Sequence, residues 1–396
     1  MTKIGIISNK SSYKEYFSQQ DPSFEVEMLT SYKTTHTIDL LFVDGRVIHP
    51  SELEDIREYH TDIPIFYQFY DMKSDLLTQN IKRICIAQQI EAIHERLTVS
   101  QVVEKIHRYI MQESFGEEKR IISFFGTHSG SGVSTTIFSI AQAIGRQIEG
   151  KVLVLSLNAW DPADYFHIYE GEYLNDLKVE LKMGQLTSDR LIESVTEVDN
   201  FFHLAGNRDI KLQRYYTDEE IQHLLQVAKE TFDVVLVDGG THFDTANAIQ
   251  SYVNSNIRFI ITNQDDKGYR GYFPHIFQQL IEPSGGKKSD FLLIINQYRP
   301  EMQLINEKDL EDELEIQRIS TIPDLEPLGA IAIRQKKSLY HLADIGYRKE
   351  IERIAKVIIA EAQLRVKETV DTIGQEKKQG ILGKLFNRKS QEETIW

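Results

Sequence analysis

Cysteine is almost absent from this chain of 396 residues, in which Cys85 is the only one. A single thiol cannot form a disulfide within the chain, so the sequence favours a reducing, cytoplasmic setting. Cys85 lies in the apolar run IKRICIA, where we expect a buried and unreactive thiol. The twelve histidines are scattered without metal-ligand spacing, so no zinc site is predicted from them.

Long apolar runs are missing as well. No stretch reaches the roughly 18 consecutive apolar residues that a membrane-spanning helix needs. The opening MTKIGIISNKSS lacks the apolar core and cleavage site of a signal peptide, so we expect any membrane contact to be peripheral. Basic residues are outnumbered, 45 against 60 acidic ones, and the resulting net charge of −15 argues against general affinity for nucleic acid.

Short apolar runs, separated by helix-compatible segments, fill two stretches of the chain. In the first stretch, KIGIIS, FEVEML, IDLLFVDG, IPIFYQF and IKRICIA predict five buried parallel strands, and TVSQVVEKIHRYI predicts a closing amphipathic helix. In the second, the predicted strands are IISFFG, KVLVLSL, NFFHLAG, DVVLVDGG, RFIITN and FLLIINQ. The sequence therefore predicts two α/β domains with parallel, doubly wound sheets, at residues 1–115 and 120–365, followed by a polar tail at 366–396.

The segment IISFFGTHSGSGVSTTIFSIAQAIG reads as a strand, a glycine-rich loop and a helix. In a phosphate-binding loop, backbone N–H groups surround the phosphates, the helix N-terminus supplies positive potential and a hydroxyl holds Mg²⁺. Alignment on Gly130 and Gly132 puts Ser134 at the Mg²⁺ hydroxyl and Val133 where a lysine normally contacts the phosphates. An ordinary Gly/Ser turn is the alternative, but the flanking strand and helix favour the phosphate loop.

Two further strands support a nucleotide site. FDVVLVDGG ends in Asp238, where a carboxylate reaches Mg²⁺ or its water. In KVLVLSLNAWDP, the strand between the loop and Asp238, a carboxylate that orients the attacking water is replaced by Ser156 and Asn158. We therefore expect a domain that binds ATP or ADP weakly and hydrolyses ATP slowly or not at all.

The order and spacing of these motifs resemble the deviant-Walker ATPases of the MinD/ParA superfamily, with their KGGVGKTT loop, DxD motif and strand ending in Asp. Within that superfamily the chain, over residues 1–345, is most similar to the CpaE/TadZ proteins of Flp (tight-adherence) pilus assembly. Those proteins couple a receiver-like N-terminal domain to a MinD-like domain, and many have loops without the final lysine. The resemblance implies a homodimer with pilus or secretion-assembly partners, and it places His128 where the signature lysine of the superfamily stands.

The resemblance also implies a base-binding region. Asn296, after the strand LLIIN, falls where MinD-like proteins place an adenine-reading asparagine, and IPDLEPL matches their segment near the base. Turn formation is the alternative role for an asparagine at this position. The predicted nucleotide-binding residues are His128, Ser129, Gly130, Ser131, Gly132, Val133, Ser134, Thr135, Asn296, Pro323 and Asp324, with Ser134 and Asp238 as the predicted Mg²⁺ ligands.

The first domain lacks most of a receiver's phosphorylation site. Asp44, in LLFVDG, occupies the phospho-acceptor position. The other receiver positions carry neutral residues: Ser8 and Asn9 after the first predicted strand, Gln68 and Phe69 after the fourth, and Ala87 and Gln88 after the fifth. Because one acid cannot gather Mg²⁺ well, we expect a pseudo-receiver that recognises a partner or dimerises.

An apolar island, GILGKLFNRK at residues 380–389, interrupts the polar tail. On a helical wheel its apolar arc and basic margin predict contact with an anionic membrane surface through Ile381, Leu382, Lys384, Leu385, Phe386 and Arg388. The segment also resembles the terminal membrane-targeting helix of MinD. Docking on its own domain or on a partner is the alternative.

Together these features favour a cytoplasmic scaffold, peripheral on the inner face of the cell membrane, that positions a pilus or secretion machine through dimerisation. An active ParA/MinD-type partitioning ATPase is the first alternative, disfavoured by Val133, Asn158 and the net acidity. A regulator acting through the receiver-like half is the second.

Overall fold

The computed structural model describes residues 2–34, 37–70, 75–93, 95, 97–111, 120–159, 165–284, 286–302 and 305–367. The chain divides into two compact units. Unit 1 comprises residues 1–117 and 277–286, and unit 2 comprises residues 118–276 and 287–396. Both units are built on sheets of mainly parallel strands, which confirms the predicted α/β class.

Unit 1 alternates strands and helices. Its elements are β1 (Thr2–Ile7), α1 (Ser12–Gln20), β2 (Phe24–Met28), β3 (Leu40–Asp44), α2 (Leu53–Tyr59), β4 (Ile65–Gln68), α3 (Asp75–Ala87), β5 (Glu91–Ile93) and α4 (Val99–Met111). The five parallel strands lie in the order β2-β1-β3-β4-β5, the flavodoxin-like order that receiver domains share. The central strand β3 is buried at every residue, as its continuous apolar run predicts.

The prediction that IKRICIA is the fifth strand was wrong, because this run forms the end of α3 and the strand β5 follows it at Glu91–Ile93. Ile81 and Cys85, four residues apart, are buried, whereas Ile86 is 77% exposed. One buried stripe of this kind is typical of a helix. A short apolar run in a sequence is compatible with either a helix or a strand. Cys85 is fully buried, as predicted, and burial raises the pKa of its thiol to about 12.

Unit 2 contains the larger sheet. Its strands are β6 (Ile121–Gly126), β7 (Val152–Ser156), β8 (Thr196–Val198), β9 (Phe201–Leu204), β10 (Val234–Gly240), β11 (Ile257–Thr262), β12 (Phe291–Tyr298) and β13 (Arg318–Pro323). Its helices are α5 (Val133–Gln147), α6 (Lys178–Met183), α7 (Ser188–Ser194), α8 (Asp218–Thr231), α9 (Ala246–Asn254), α10 (Phe273–Ile276), α11 (Glu307–Leu314), α12 (Leu328–Arg334), α13 (Leu339–Leu342) and α14 (Ile345–Glu361). Among the helices of the described ranges, none is both long and apolar enough to span a bilayer.

The strands of unit 2 follow the order β13-β12-β11-β6-β10-β7-β9-β8, and β8 alone runs antiparallel to its neighbour. All six predicted strands are present. The sequence did not reveal β8 and β13, because neither contains a continuous apolar run and both lie at the edges of the sheet. Since parallel strands end at the same edge of a sheet, β6, β7, β10 and β12 bring the predicted site residues to one side of unit 2.

Candidate functional site

The loop between β6 and α5 has backbone angles that require glycine at two positions. Gly130 and Gly132 have φ values of +95° and +87°, in the left-handed region that side chains rarely adopt. A Cβ atom on Gly132 would lie 2.1 Å from Nδ2 of Asn296. The loop therefore packs closely against the end of β12, and α5 begins directly after it with its N–H groups at the loop.

Ser134 and Asp238 meet at the base of this loop. The Ser134 hydroxyl donates a hydrogen bond of 2.5 Å to Oδ2 of Asp238, although 104 residues separate them in the chain. Asp238 is only 2% exposed, and the N–H of Gly240 donates to its Oδ1 at 3.1 Å. A hydroxyl that donates its proton retains lone pairs that can accept a cation. Two hard oxygen donors at the start of a phosphate-loop helix fit Mg²⁺.

A buried hydroxyl inside the loop also fits an anionic ligand. Ser131 is 1% exposed, and within the described residues its Oγ has no hydrogen-bond partner. A Cβ atom on Gly126 would lie 2.5 Å from this Oγ, so only glycine allows the strand end and the loop to approach this closely. The loop thus contains a buried hydroxyl that can donate a hydrogen bond to a phosphate oxygen.

Asn158 takes part in the same cluster. Its side-chain amide donates a hydrogen bond of 2.8 Å to Oδ2 of Asp238. The structure therefore places Asn158 at the predicted position beside the Mg²⁺-ligand candidates, but as a neutral donor to Asp238. An amide in this place cannot take a proton from water at neutral pH.

The two positions that lack the lysines of the resembled superfamily are buried. Val133 is 7% exposed and packs in the hydrophobic core of unit 2. His128 is 5% exposed, with Nε2 3.8 Å from Oδ2 of Asp265. Burial lowers the pKa of His128 below its ordinary value, against the opposing pull of Asp265, so the imidazole is neutral at pH 7. Neither position supplies a positive charge to the loop.

The predicted base-binding residues line a cleft of about 690 Å³. Asn296 anchors the loop, because its Nδ2 donates to the carbonyl of Ser131 at 2.9 Å. Pro323 ends β13 and lines the cleft together with Asp324, whose carboxylate is ion-paired with Arg299. Thr135 also lines the cleft, whereas Ser129 is exposed at the tip of the loop. The cleft opens at Gly132, so a molecule bound there would adjoin the phosphate loop.

A hydrogen-bonded pair of histidines runs away from this site through the interior of unit 2. Ser156, the sheet neighbour of Asp238, contacts Nε2 of His203 at 3.0 Å. Nδ1 of His203 lies 2.9 Å from Nε2 of His167, whose Nδ1 lies 3.1 Å from the Ile168 carbonyl. Because that carbonyl accepts only, the pattern is satisfied with both imidazoles neutral and with Ser156 as the donor to His203. Histidines 36 residues apart give no local sequence signal, so this pair was not predicted.

In unit 1, the phospho-acceptor position is occupied by an internal ion pair. Asp44 is fully buried, and Arg46 donates to its carboxylate from Nη2 at 2.7 Å and from Nε at 3.0 Å. Ser8 donates a further bond of 2.6 Å. Burial acts to raise the pKa of Asp44, but the hydrogen bonds from Arg46 and Ser8 outweigh it and hold the pKa below its ordinary value.

Arg46 was not predicted to take part in this site. Its guanidinium lies over the ring of Tyr70, 4.1 Å from the ring centroid, which holds it against Asp44. It supplies the positive charge that Mg²⁺ supplies in a receiver. An arginine two residues after the acceptor aspartate was the available sequence signal.

Two further predictions from the sequence concern membrane contacts and metal ligands. Ile381, Leu382, Lys384, Leu385, Phe386 and Arg388, the predicted membrane contacts, lie outside the described residues. Within the described ranges, no group of three or more His, Cys, Asp or Glu side chains is arranged to hold a metal ion.

No protein-family profile and no curated protein matches the sequence. Solved structures match the fold. A ParA family ATPase from Chlorobium tepidum TLS has a TM-score of 0.54 at 17% identity, over 60% of this chain and 99% of that one. MinD in the MinC:MinD cell division complex of Aquifex aeolicus scores 0.48 at 14% identity, over 66% and 100%. The septum site-determining protein MinD with Mg-ADP from Pyrococcus horikoshii OT3 scores 0.45 at 15%, over 60% and 95%.

At these identities the comparisons bear on architecture alone. The first similarity spans nearly the whole of the ParA family ATPase, and the sheet of unit 2 carries a glycine-rich loop between its strand β6 and its helix α5. The chain therefore contains the parallel-sheet P-loop fold of the MinD/ParA ATPases.

Proposed function

We propose that unit 2 binds ATP or ADP together with Mg²⁺, and that it hydrolyses ATP slowly or not at all. The observation that carries this proposal is the Ser134–Asp238 hydrogen bond of 2.5 Å beneath a glycine-rich loop that opens into a cleft. This arrangement retains the loop and the oxygen ligands that hold a nucleotide, and it lacks the charged side chains that accelerate the hydrolysis of that nucleotide.

The roles of individual residues follow from their positions. The loop N–H groups from Ser129 to Ser134 bind the phosphates, and Ser134 with Asp238 holds Mg²⁺, which neutralises phosphate charge. Asn296, Pro323 and Asp324 border the space for the base and ribose. Asn296 has a second role, since its hydrogen bond to the Ser131 carbonyl fixes the loop.

Slow hydrolysis is expected from the missing charges. In phosphoryl transfer, catalysis depends on positioning and on positive groups that meet the charge of the transition state. Val133 and the neutral His128 provide no such charge, and Asn158 replaces a carboxylate that would orient water. The losses affect turnover more than binding, because the backbone N–H groups and the Ser134–Asp238 pair remain.

At the level of the cell, we propose a homodimeric positioning scaffold resembling CpaE/TadZ, with partners in pilus or secretion-machine assembly. The MinD/ParA-like fold supports a positioning or partitioning role in general. The Asp44–Arg46 ion pair supports a pseudo-receiver that acts by contact and not by phosphorylation. Attachment to the inner face of the membrane through residues 380–389 completes this proposal.

The test is a titration of the full-length protein with fluorescent ATP and ADP in the presence of Mg²⁺, with the oligomeric mass measured in parallel. We expect saturable binding that Asp238→Ala weakens at least tenfold and that EDTA weakens in the wild type. ATP, more than ADP, should raise the dimer fraction. Absence of binding in the wild type contradicts the nucleotide site, and binding without any change in mass contradicts nucleotide-dependent dimerisation.

A further inference from the structure

A second cleft, of about 570 Å³, lies in unit 2 along the helix α5. It adjoins the first cleft, because Thr135 and Ile333 line both. Phe138 and Gln142 follow Thr135 on the same face of α5, at spacings of three and four residues. The volume is in the range of about 300–1,000 Å³ that small-molecule sites occupy. No part of the nucleotide proposal uses this cleft.

Aromatic side chains form one wall of the second cleft. The ring of Phe138 lies 4.8 Å from that of Phe166 and 5.9 Å from that of Phe201, centroid to centroid. All three line the cleft. A wall of this kind favours a flat aromatic ligand, which can stack on or meet the edge of these rings.

Gln142 brings an unpaired amide to this apolar wall. The residue is 1% exposed, and in the described part of the chain neither its Nε2 nor its Oε1 has a hydrogen-bond partner. Burying an amide without partners is costly, so such a group calls for an explanation. A primary amide has a hydrogen-bond donor beside an acceptor. It pairs with a ligand edge that has the same two groups, because each donor then meets an acceptor.

The charges around the cleft favour a neutral ligand. Lys336 and Lys337 line it together with Glu197 and Asp199, so two positive and two negative side chains are present. His341 adds no charge at neutral pH, because burial and the neighbouring Arg146 lower the pKa of its imidazole, against the opposing pull of Asp199. Neither an anion nor a cation gains from this balance.

We propose that the second cleft binds an uncharged aromatic molecule whose edge carries a donor next to an acceptor, as in an aryl carboxamide or a nucleobase. Its ring packs against Phe138 and Phe166, and its edge forms two hydrogen bonds with Gln142. This is a site separate from that of the ATP phosphates.

The test uses 4-fluorobenzamide as the probe, with its ¹⁹F signal followed during titration of the full-length protein. The matched probe is 4-fluorotoluene, which has the same ring and no amide. Gln142→Leu removes the amide from the wall at nearly constant volume. Gln226→Leu is the matched control, because Gln226 is exposed on α8 and donates to Glu230. Circular dichroism and thermal unfolding verify that both variants are folded.

We expect saturable 4-fluorobenzamide binding that Gln142→Leu weakens at least tenfold, that Gln226→Leu leaves unchanged and that saturating Mg-ATP does not displace. The affinity for 4-fluorotoluene should be equal or higher in Gln142→Leu, and removal of an unpaired amide should raise the unfolding temperature. Equal 4-fluorobenzamide affinity in the wild type and Gln142→Leu, no saturable binding to the wild type, or displacement by Mg-ATP overturns the proposal.

Discussion

At the scale of single residues, the proposed nucleotide site combines two candidate oxygen ligands with buried, uncharged residues at positions 128 and 133. Ser134 and Asp238, the predicted Mg²⁺ ligands, are hydrogen-bonded to each other. Val133 and His128, by contrast, are both buried and uncharged. The proposal therefore assigns nucleotide binding and ATP hydrolysis to different residues, and single substitutions test this separation.

Restoring the lysine at position 133 should strengthen ATP binding. A charge-assisted hydrogen bond contributes about 1.5–3 kcal/mol, so we expect Val133→Lys to raise the affinity for Mg-ATP by about 10- to 100-fold. Fluorescent-nucleotide titration measures this gain. Val133→Met is the control, since it has a long uncharged side chain and should give no gain. An unchanged affinity in a folded Val133→Lys protein would show that the side chain at 133 does not reach the phosphates.

The Asp44–Arg46 pair predicts a defined pH dependence in unit 1. Because the folded-state pKa of Asp44 is lowered, the charged carboxylate stabilises the folded protein fully above its unfolded pKa of about 3.9. This contribution is lost as the pH falls from there through the lower folded-state pKa. Urea unfolding of the wild type and Asp44→Asn, followed by circular dichroism, should show a stability difference that is constant from pH 7 to 5 and shrinks towards pH 2. A difference that persists unchanged to pH 2 contradicts this role.

Residue-level prediction from sequence was possible where a motif fixes the spacing, and the site residues named in this way stay predictions. The glycines, Ser134 and Asp238 follow a strand–loop–helix order that can be read along the chain. Arg46 and Gln142 could not be identified in the same way, because no motif marks them: Arg46 matters through its ion pair with the buried Asp44, and Gln142 through an unpaired amide that lines the second cleft. The sequence spacing does not reveal that the Asp44 carboxylate is buried or that, within the described residues, the Gln142 amide is buried without a hydrogen-bond partner.

At the scale of elements, Gly132 is the glycine of the β6–α5 loop that both has a positive φ and packs against Asn296. Gly132→Ala introduces both a left-handed conformation, which costs an L-residue roughly 1–2 kcal/mol, and a clash with Asn296. We expect loss of nucleotide binding together with lower thermal stability. Gly184→Ala is the matched control, because Gly184 also has a positive φ but no atom lies within 4 Å of its Cβ position.

The Gly184→Ala control separates the effect of a left-handed backbone conformation from the effect of a clash with Asn296. Gly184→Ala should lower the unfolding temperature modestly and leave nucleotide affinity unchanged. If Gly132→Ala binds Mg-ATP as tightly as the wild type, the close packing of the loop on β12 is not needed for the site.

Whole elements were predicted wherever a continuous apolar run forms a central strand. All six predicted strands of unit 2 are of this kind. The run IKRICIA was wrongly predicted to be a strand, because a run of four to seven apolar residues fits a buried helix face as well as a strand. The edge strands β8 and β13 were missed because neither has a continuous apolar run: β8 buries none of its residues, and β13 buries only Ser320 and Ile322. Tertiary contacts define these elements, and local sequence does not.

At the scale of the whole molecule, the proposed scaffold must reach a membrane despite a net charge of −15. The basic, apolar segment at 380–389 is the part suited to an anionic bilayer, and a dimer would present it twice. Removing residues 380–396 should abolish co-sedimentation with liposomes rich in phosphatidylglycerol. Leu385→Glu should have a similar effect, whereas Asn387→Gln, opposite the apolar arc of the helical wheel drawn from the sequence, should not. Liposome binding that survives the deletion contradicts a membrane role for this segment.

The proposal that nucleotide binding is retained without rapid turnover can be tested in one measurement. The full-length protein is incubated with Mg²⁺ and γ-labelled ATP, and protein-bound ATP and released phosphate are quantified at the same time points. We predict close to one intact ATP per chain, with phosphate release no faster than from Asp238→Ala at equal occupancy. Rapid phosphate release that Asp238→Ala abolishes would show an active ATPase, and no bound ATP would show that the loop does not hold a nucleotide. Either result contradicts the account.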